Sequence, residues 1–290
     1  MKKKYQCKIC NSENIIITYN GKIRNGKFGN YIDNQNIFEC QECKVQFYNG
    51  KDIDYQSSEY RTMIQANPSA DEYYHQHDDE QLYNLEILGL NNLRNKVIAD
   101  IGCGAGSFLD MVSGITKKQI AIEPFKDYQS ILKEKKYDVF DYASNKMNKN
   151  KIDIATSFSV IEHVDEPLFF LEDIKRLVKK GGYILISTPN VDDFQLELIG
   201  DEYKSFYYRS VHKWYFNKDS LTYIANELGF ERVEFIYKHK YDFSNLLFWL
   251  KDKKPTGILK TTVLNELSSN LVNTVEKNGE SNFIYAKFYV

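Results

Sequence analysis

From residue 96 onward the hydrophobic positions alternate between two patterns: short β-branched or apolar runs, and longer stretches in which apolar residues recur at helical spacing. The runs "KVIADIG", "QIAIE", "YDVF", "IDIATSF" and "GYILIST" predict strands. A segment opening at about Gly106, then "FKDYQSILKEKK" and "EPLFFLEDIKRLVKK", predict the helices between them. Such alternation predicts a parallel sheet with helices on both faces. The helix "DSLTYIANELGF" follows, ending at Gly229, then the strand "ERVEFIYKH", an insertion over about 241–280 and a closing strand "NFIYAKFYV". Ahead of this domain, residues 51–95 are polar and aromatic, and "DEYYHQHDDEQLYNLEILGLNNL" predicts at least one amphipathic helix leading into it.

Residues 1–50 carry a different signal. "CKIC" (Cys7, Cys10) and "CQEC" (Cys40, Cys43) are separated by a polar stretch, and two CxxC turns can bring four thiolates to one tetrahedral Zn²⁺. We read this segment as a zinc ribbon with a structural metal, because no ligand position is left open for water. The chain thus divides into a ribbon (1–50), a helical linker or cap (51–95) and an α/β domain (96–290) with insertions at about 190–217 and 241–280. A formal net charge of -2 argues against a protein dedicated to gripping nucleic acid. The N-terminus has no apolar signal region and no run is long enough to span a membrane, so a cytoplasmic location is expected. Five cysteines without a secretory signal fit thiolate ligands or buried thiols better than disulfides.

In "VIADIGCGAGSFLD", residues 97–110, glycines stand at every second position after a buried strand, where a parallel sheet takes its ligands. Glu123 closes the next strand, placed to bind two ribose hydroxyls. A dinucleotide fingerprint would need glycine at 107, where the chain has Ser107. The pattern G-x-G-x-G in "DIGCGAG" resembles motif I of the class I S-adenosylmethionine-dependent methyltransferases. From about residue 75 to the C-terminus the chain is similar to that family, and the resemblance implies a Rossmann-like seven-stranded sheet whose final strand runs antiparallel between its neighbours. It also implies that Asp100, Gly102, Gly104 and Gly106 hold the methionine portion of the cofactor and Glu123 the ribose, with Asp141 or Tyr142 at the adenine edge. "SFSVIEHVDEP" would put Ser159 and Glu162-His163 beside the sulfonium.

Methyl transfer needs a base only when the acceptor must lose a proton. His163 and His212 are the candidates, since imidazole titrates near neutral pH; His212 stands in "YYRSVHKWYF" among aromatic residues that could stack on a ring or simply pack. "YHQHDDE" reads as a solvated helix start rather than a metal cluster, because side chains two apart diverge on a helix. Pro189-Asn190 ends a strand and shapes the acceptor pocket.

The ribbon, the tyrosine-rich "DYQSSEYRT" and the histidine of "HKWYF" together resemble deoxysugar C-methyltransferases acting on nucleotide-linked sugars, in which His212 would be the base. The acid expected before that histidine is Val211 here, and the large extra C-terminal domain of that family is missing. O- or N-methylation of a sugar or surface-carbohydrate precursor therefore stands beside C-methylation. An RNA methyltransferase is the alternative: residues 1–51 hold nine Lys or Arg against four acids. Against it, "SFSVIEH" follows the fourth strand where enzymes methylating base amino groups carry N/D-P-P-aromatic. A non-catalytic cofactor-binding protein is disfavoured by the intact glycine and acid positions, and the plainest task for the ribbon is to cover the acceptor pocket.

Overall fold

The computed structural model describes residues 5–51, 53–55, 57, 60, 69–144, 147–255 and 262–290. Its centre is a seven-stranded sheet made of β4 (Val97–Ile101), β5 (Lys118–Ile122), β6 (Asp138–Phe140), β7 (Ile152–Phe158), β8 (Val178–Pro189), β10 (Arg232–Lys238) and β11 (Phe283–Tyr289), in the order β10-β11-β8-β7-β4-β5-β6. Strands β4 to β8 pair in parallel, and β11 lies antiparallel between β8 and β10. The expected Rossmann-like sheet and its antiparallel insertion are both present. In β4, Ile98, Ala99, Asp100 and Ile101 are all buried, as a strand covered on both faces requires.

Helices α1 (Ala70–Leu88), α2 (Leu90–Leu93), α3 (Ser107–Val112), α4 (Lys126–Glu134), α5 (Pro167–Leu177) and α8 (Lys218–Glu227) surround this sheet. Ser69 caps α1 by accepting the Glu72 amide, and Gly89 at φ 74° ends it. Two boundaries differ from expectation. The helix read through Lys180 stops at Leu177, because Val178 takes extended geometry and pairs with Ile152. "YHQHDDE" lies inside α1 rather than at its start; His75, Gln76 and Asp79 are exposed as expected, while the Ser107 hydroxyl donates to Asp78 and ties the other side of the helix to the ligand end of the main sheet. The 190–217 segment folds into α6 (Phe194–Leu198), α7 (Asp201–Tyr207) and β9 (Trp214–Tyr215). The 241–280 segment holds α9 (Phe243–Asp252) and α10 (Thr262–Asn278), and Trp249 of α9 is buried against Tyr203 and Phe206. Residues 256–261 of that segment lie outside the described residues.

A second sheet has the order β1-β2-β3-β9, from β1 (Ile15–Arg24), β2 (Tyr31–Cys40) and β3 (Gln46–Tyr48). Each CxxC turn closes in the same way: Asn11 N donates to Cys7 O and Lys44 N to Cys40 O, and Asn11 and Lys44 are left-handed at φ 58° and 60°. The Sγ atoms of Cys7 and Cys43 are 3.6 Å apart, and those of Cys10 and Cys40 are 3.3 Å apart. A tetrahedron with Zn–S bonds of about 2.3 Å has edges of about 3.8 Å, so the four sulfurs fit such a metal with little rearrangement.

This zinc-ribbon-like unit joins the 190–217 segment through its own sheet. Gln46 pairs with Tyr215 and Phe47 with Trp214. Tyr48 N donates to Lys213 O at 3.0 Å and the Tyr208 hydroxyl to Gln46 Oε1 at 2.8 Å. No helix of the described residues is long and apolar enough to cross a membrane.

Purified protein is expected to carry one zinc per chain by elemental analysis. Cys43→Ala should release it and lower the melting temperature by about 10 °C or more, at about 2–4 °C per kcal/mol. Hydrogen exchange should rise at Trp214 and Tyr215 together with Gln46–Tyr48; exchange rising only near the cysteines would mean that the two sheets are uncoupled.

Candidate active site

The loop from β4 into α3 turns at three glycines with positive φ: 73° at Gly102, 56° at Gly104 and 90° at Gly106. Each is fixed by a neighbour as well as by its torsion. A Cβ on Gly102 would fall 2.5 Å from Val160 Cγ2, and one on Gly104 would fall 2.2 Å from the Tyr73 hydroxyl. On Gly106 it would meet Leu132 Cδ2 of α4 at 2.7 Å, so this third glycine serves the packing of helix on sheet.

Two cavities open around that loop, of about 410 Å³ and 510 Å³, and both are bordered by Tyr55, Gly102, Pro124, Val160 and His163. The first takes in Asp100, Gly104, Glu123, Ser159 and Arg209; the second reaches Asp141, Tyr142 and Ala143. Together they form a bent, two-chambered cleft. Of the residues singled out from the sequence, Asp100, Gly102, Gly104, Glu123, Asp141, Tyr142, Ser159 and His163 border it, whereas Gly106, Glu162 and His212 do not.

Glu123 is buried and tightly held: Oε2 accepts the Gly104 amide and Oε1 the Phe125 amide, each at 2.9 Å. Gln129 donates to Glu123 O and to Asp141 Oδ1, both at 2.7 Å, which ties Glu123 and Asp141 to α4. Asp100 Oδ1 accepts from Thr156 at 2.7 Å, and burial pushes its carboxyl up to about 7. Ser159, at the end of β7, sits at φ 55°, a strained conformation for a residue with a side chain.

His163 Nδ1 donates to Val211 O at 2.9 Å, and the Tyr55 hydroxyl donates to the same oxygen at 2.9 Å. The tautomer follows: Nδ1 carries the proton and Nε2 is the acceptor. His212 lies behind it, its ring centre 4.8 Å from that of His163, with Arg209 Nη1 3.5 Å from its Nε2. Its Nδ1 is buried without a partner, and burial, with Arg209 next, holds the imidazole well below its ordinary range, hence neutral. Glu162 is 1% exposed, accepts from Thr188 at 3.2 Å and is pushed up to about 7 by burial. Glu162, His163 and His212 have ligand-type atoms within 4.8 Å of one another, but the Arg209 cation beside them disfavours a metal.

One wall was not anticipated. Tyr73, Gln76, His77, Glu80 and Gln81 of α1 border the first chamber. Their spacing of three and four marks one helix face, which was readable in principle, but the face is polar and aromatic rather than apolar. Of the tyrosine-rich segment, Tyr55 and Tyr60 border the first chamber, while Gln56, Ser58, Glu59, Arg61 and Thr62 lie outside the described residues.

A family model described as a methyltransferase domain matches residues 73–234, more than half of the chain and all of the glycine loop. The chain belongs to this family. A ubiquinone biosynthesis O-methyltransferase of Bradyrhizobium diazoefficiens is 28% identical to this methyltransferase over 148 residues, 47% of this chain and 58% of that protein. A namesake from Thiobacillus denitrificans is 27% identical over 159 residues, 49% of this chain and 67% of its own. The first of these matches thus spans less than two thirds of the relative's length. Among solved structures, an S-adenosylmethionine-dependent methyltransferase from Archaeoglobus fulgidus aligns with a TM-score of 0.50 at 20% identity, over 75% of this chain and 96% of its own. Phosphoethanolamine N-methyltransferase 2 of Haemonchus contortus, solved with S-adenosylmethionine, aligns with a TM-score of 0.51 at 16% identity, over 84% of this chain and 60% of that one.

The chain carries the methyltransferase domain of that family, and its cleft fits S-adenosylmethionine in outline. A chamber with a buried carboxyl adjoins a loop bare of side chains, and a second chamber runs on past Pro124 to Asp141 and Tyr142. Because the folded state holds the Asp100 proton up to about 7 while an ammonium group favours the carboxylate, S-adenosylhomocysteine affinity should rise with pH up to about 7 and then level off. Asp100→Asn should remove that slope in calorimetric titrations. Glu123→Ala should weaken the same binding by about 10- to 100-fold, the worth of charged hydrogen bonds of about 1.5–3 kcal/mol.

Proposed function

We propose that this methyltransferase acts on a small, hydroxyl-rich acceptor, a nucleotide-linked sugar or related surface-carbohydrate precursor, in the chamber between α1 and His163. The observation that carries the reading is the pinned imidazole: Nδ1 is committed to Val211 O, which makes Nε2 the basic nitrogen of a side chain bordering both chambers. When bound, S-adenosylmethionine supplies an electrophilic methyl group for in-line displacement. The residues then have to align the acceptor, keep water out and, where the acceptor atom is protonated, accept its proton.

In this reading Asp100, Gly102 and Gly104 hold the methionine end, Glu123 the ribose, and Asp141 with Tyr142 the adenine, with Ser159 near the reacting centre. His163 is the base in place of His212, which is buried behind it and held neutral. The four cysteines hold a structural zinc. The polar wall of Gln76, His77, Glu80 and Gln81 supports a hydroxyl-rich acceptor, since amide, imidazole and carboxylate groups can each bind a hydroxyl.

A second reading is O-methylation of a quinone precursor. It draws on the names of the curated relatives and on the aromatic part of the chamber, Tyr55, Tyr60, Phe108 and Phe158. The RNA alternative has less support: the Arg24 guanidinium packs on the Phe206 ring and Lys8 is engaged with Glu166 at 2.7 Å, while Lys2, Lys3 and Lys4 lie outside the described residues.

Release of S-adenosylhomocysteine should be measured with nucleotide-linked sugars, a catechol and bulk RNA offered in parallel. Turnover with a nucleotide-linked sugar is expected; turnover with the catechol or RNA alone would overturn the acceptor assignment. His163→Ala should lower kcat by about 100-fold or more while S-adenosylhomocysteine still binds, and a fully active variant would remove it as the base.

A further inference from the structure

Two arginines meet beside the first chamber, and among the described residues neither is ion-paired to an acid. Arg24 ends β1 of the cysteine-bearing unit, and Arg209 follows α7. Their backbones are bridged: Arg24 N donates to Tyr208 O at 2.9 Å, and Ser210 N donates to Arg24 O at 2.9 Å. Among the described residues neither guanidinium forms an ion pair with a carboxylate, and the Nε atoms of both are buried without a hydrogen-bond partner. Their close contacts are of other kinds. Arg24 Cζ lies 4.1 Å from the centre of the Phe206 ring, and Arg209 Nη1 lies 3.5 Å from His212.

The acids nearby are already engaged. Glu162 feels the Arg209 charge but hydrogen-bonds to Thr188, and burial holds its own carboxyl up to about 7. Glu80, on the same chamber wall, is held by Lys240 at 2.6 Å. Both side chains are only partly buried, but buried guanidinium N–H groups without a partner are costly unless an acceptor completes their surroundings. Arg209 borders the chamber, so an anion that completes the pair arrives through it.

We propose that Arg209, with Arg24 behind it, binds an oxyanion carried by the methyl acceptor, a phosphoryl or carboxylate group. The planar guanidinium offers the fork of donors that such groups accept. The proposal rests on the reading of this chamber as a small-acceptor site and adds that the acceptor enters as an anion. Its charged end is anchored at Arg209 while its reacting atom faces His163. The cysteine-bearing unit then contributes to acceptor selection through Arg24 as well as covering the pocket.

The test uses the full chain saturated with S-adenosylhomocysteine, titrated calorimetrically with inorganic pyrophosphate and, separately, malonate. Wild type, Arg209→Met and Arg24→Met are compared after matched circular dichroism spectra; Arg209→Lys, which keeps the charge but loses the fork, stands in if the methionine variant does not fold. One of the two anions is expected to bind the wild type at one per chain and to lose about 10- to 100-fold in affinity in Arg209→Met. Pyrophosphate would identify a phosphoryl group, and malonate a carboxylate. Equal affinity in wild type and Arg209→Met, or no binding of either anion, would overturn the proposal. A neutral acceptor methylated with the same kcat/KM by both proteins would overturn the anion site and leave the carbohydrate reading standing. Anion binding that depends on Arg209, with no transfer to any nucleotide-linked sugar, would do the reverse.

Discussion

The cleft depends on two backbone positions where a side chain would be strained and crowded. Gly102 and Gly104 turn with positive φ at the carboxyl end of β4, and each is overlain by a residue from a different part of the chain. Val160, from the loop after β7, covers Gly102; Tyr73, from α1, covers Gly104. The Gly104 amide in turn fixes Glu123 at the end of β5. Three walls of the site therefore converge on two residues, and a methyl group at either would push a wall outward before any ligand arrived.

Much of this was readable from the sequence because it follows from local rules. Strands buried on both faces give unbroken apolar runs, so β4, β5 and β7 were visible as such. Alternate glycines followed by an acid at the next strand end mark the ligand side of a parallel sheet. Paired CxxC turns bring cysteines together whatever the rest of the chain does. What escaped depended on depth and on distant partners. The "LVKK" stretch keeps helical spacing, and only pairing with Ile152 makes Val178 a strand residue. His212 stands out among aromatic residues in the sequence, but nothing local says that it lies behind His163 and beneath Arg209. Glu162 adjoins His163 in sequence yet points to Thr188, away from the cleft. The α1 face went unseen because its periodic residues are polar and tyrosyl, which by itself describes a solvated helix.

The electrostatics of the cleft are lopsided. Buried acids, Asp100 and Glu123, lie under the glycine loop, and two partly buried arginines, Arg24 and Arg209, lie at the far wall beside the 190–217 segment. Between them Val211 O accepts from both His163 and Tyr55, so one carbonyl sets the orientation of the imidazole and of a tyrosine from the linker. Such a bifurcated acceptor tolerates little displacement, since moving Val211 disturbs both donors. Val211 itself is held from outside, by the backbone ties of Arg24 to Tyr208 and Ser210.

The pairing of Gln46 with Tyr215 also sets an order of events during synthesis. The cysteine-bearing hairpin emerges first and, with a metal, has the means to fold alone. Its last strand then waits with one edge bare until most of the chain has followed, and closing so distant a contact is slow. In that interval β3 is an unpaired edge carrying Phe47, the kind of surface that invites a neighbouring chain. The wall that carries Arg209 is therefore completed late, and β3 is the first place where a nascent molecule can go astray.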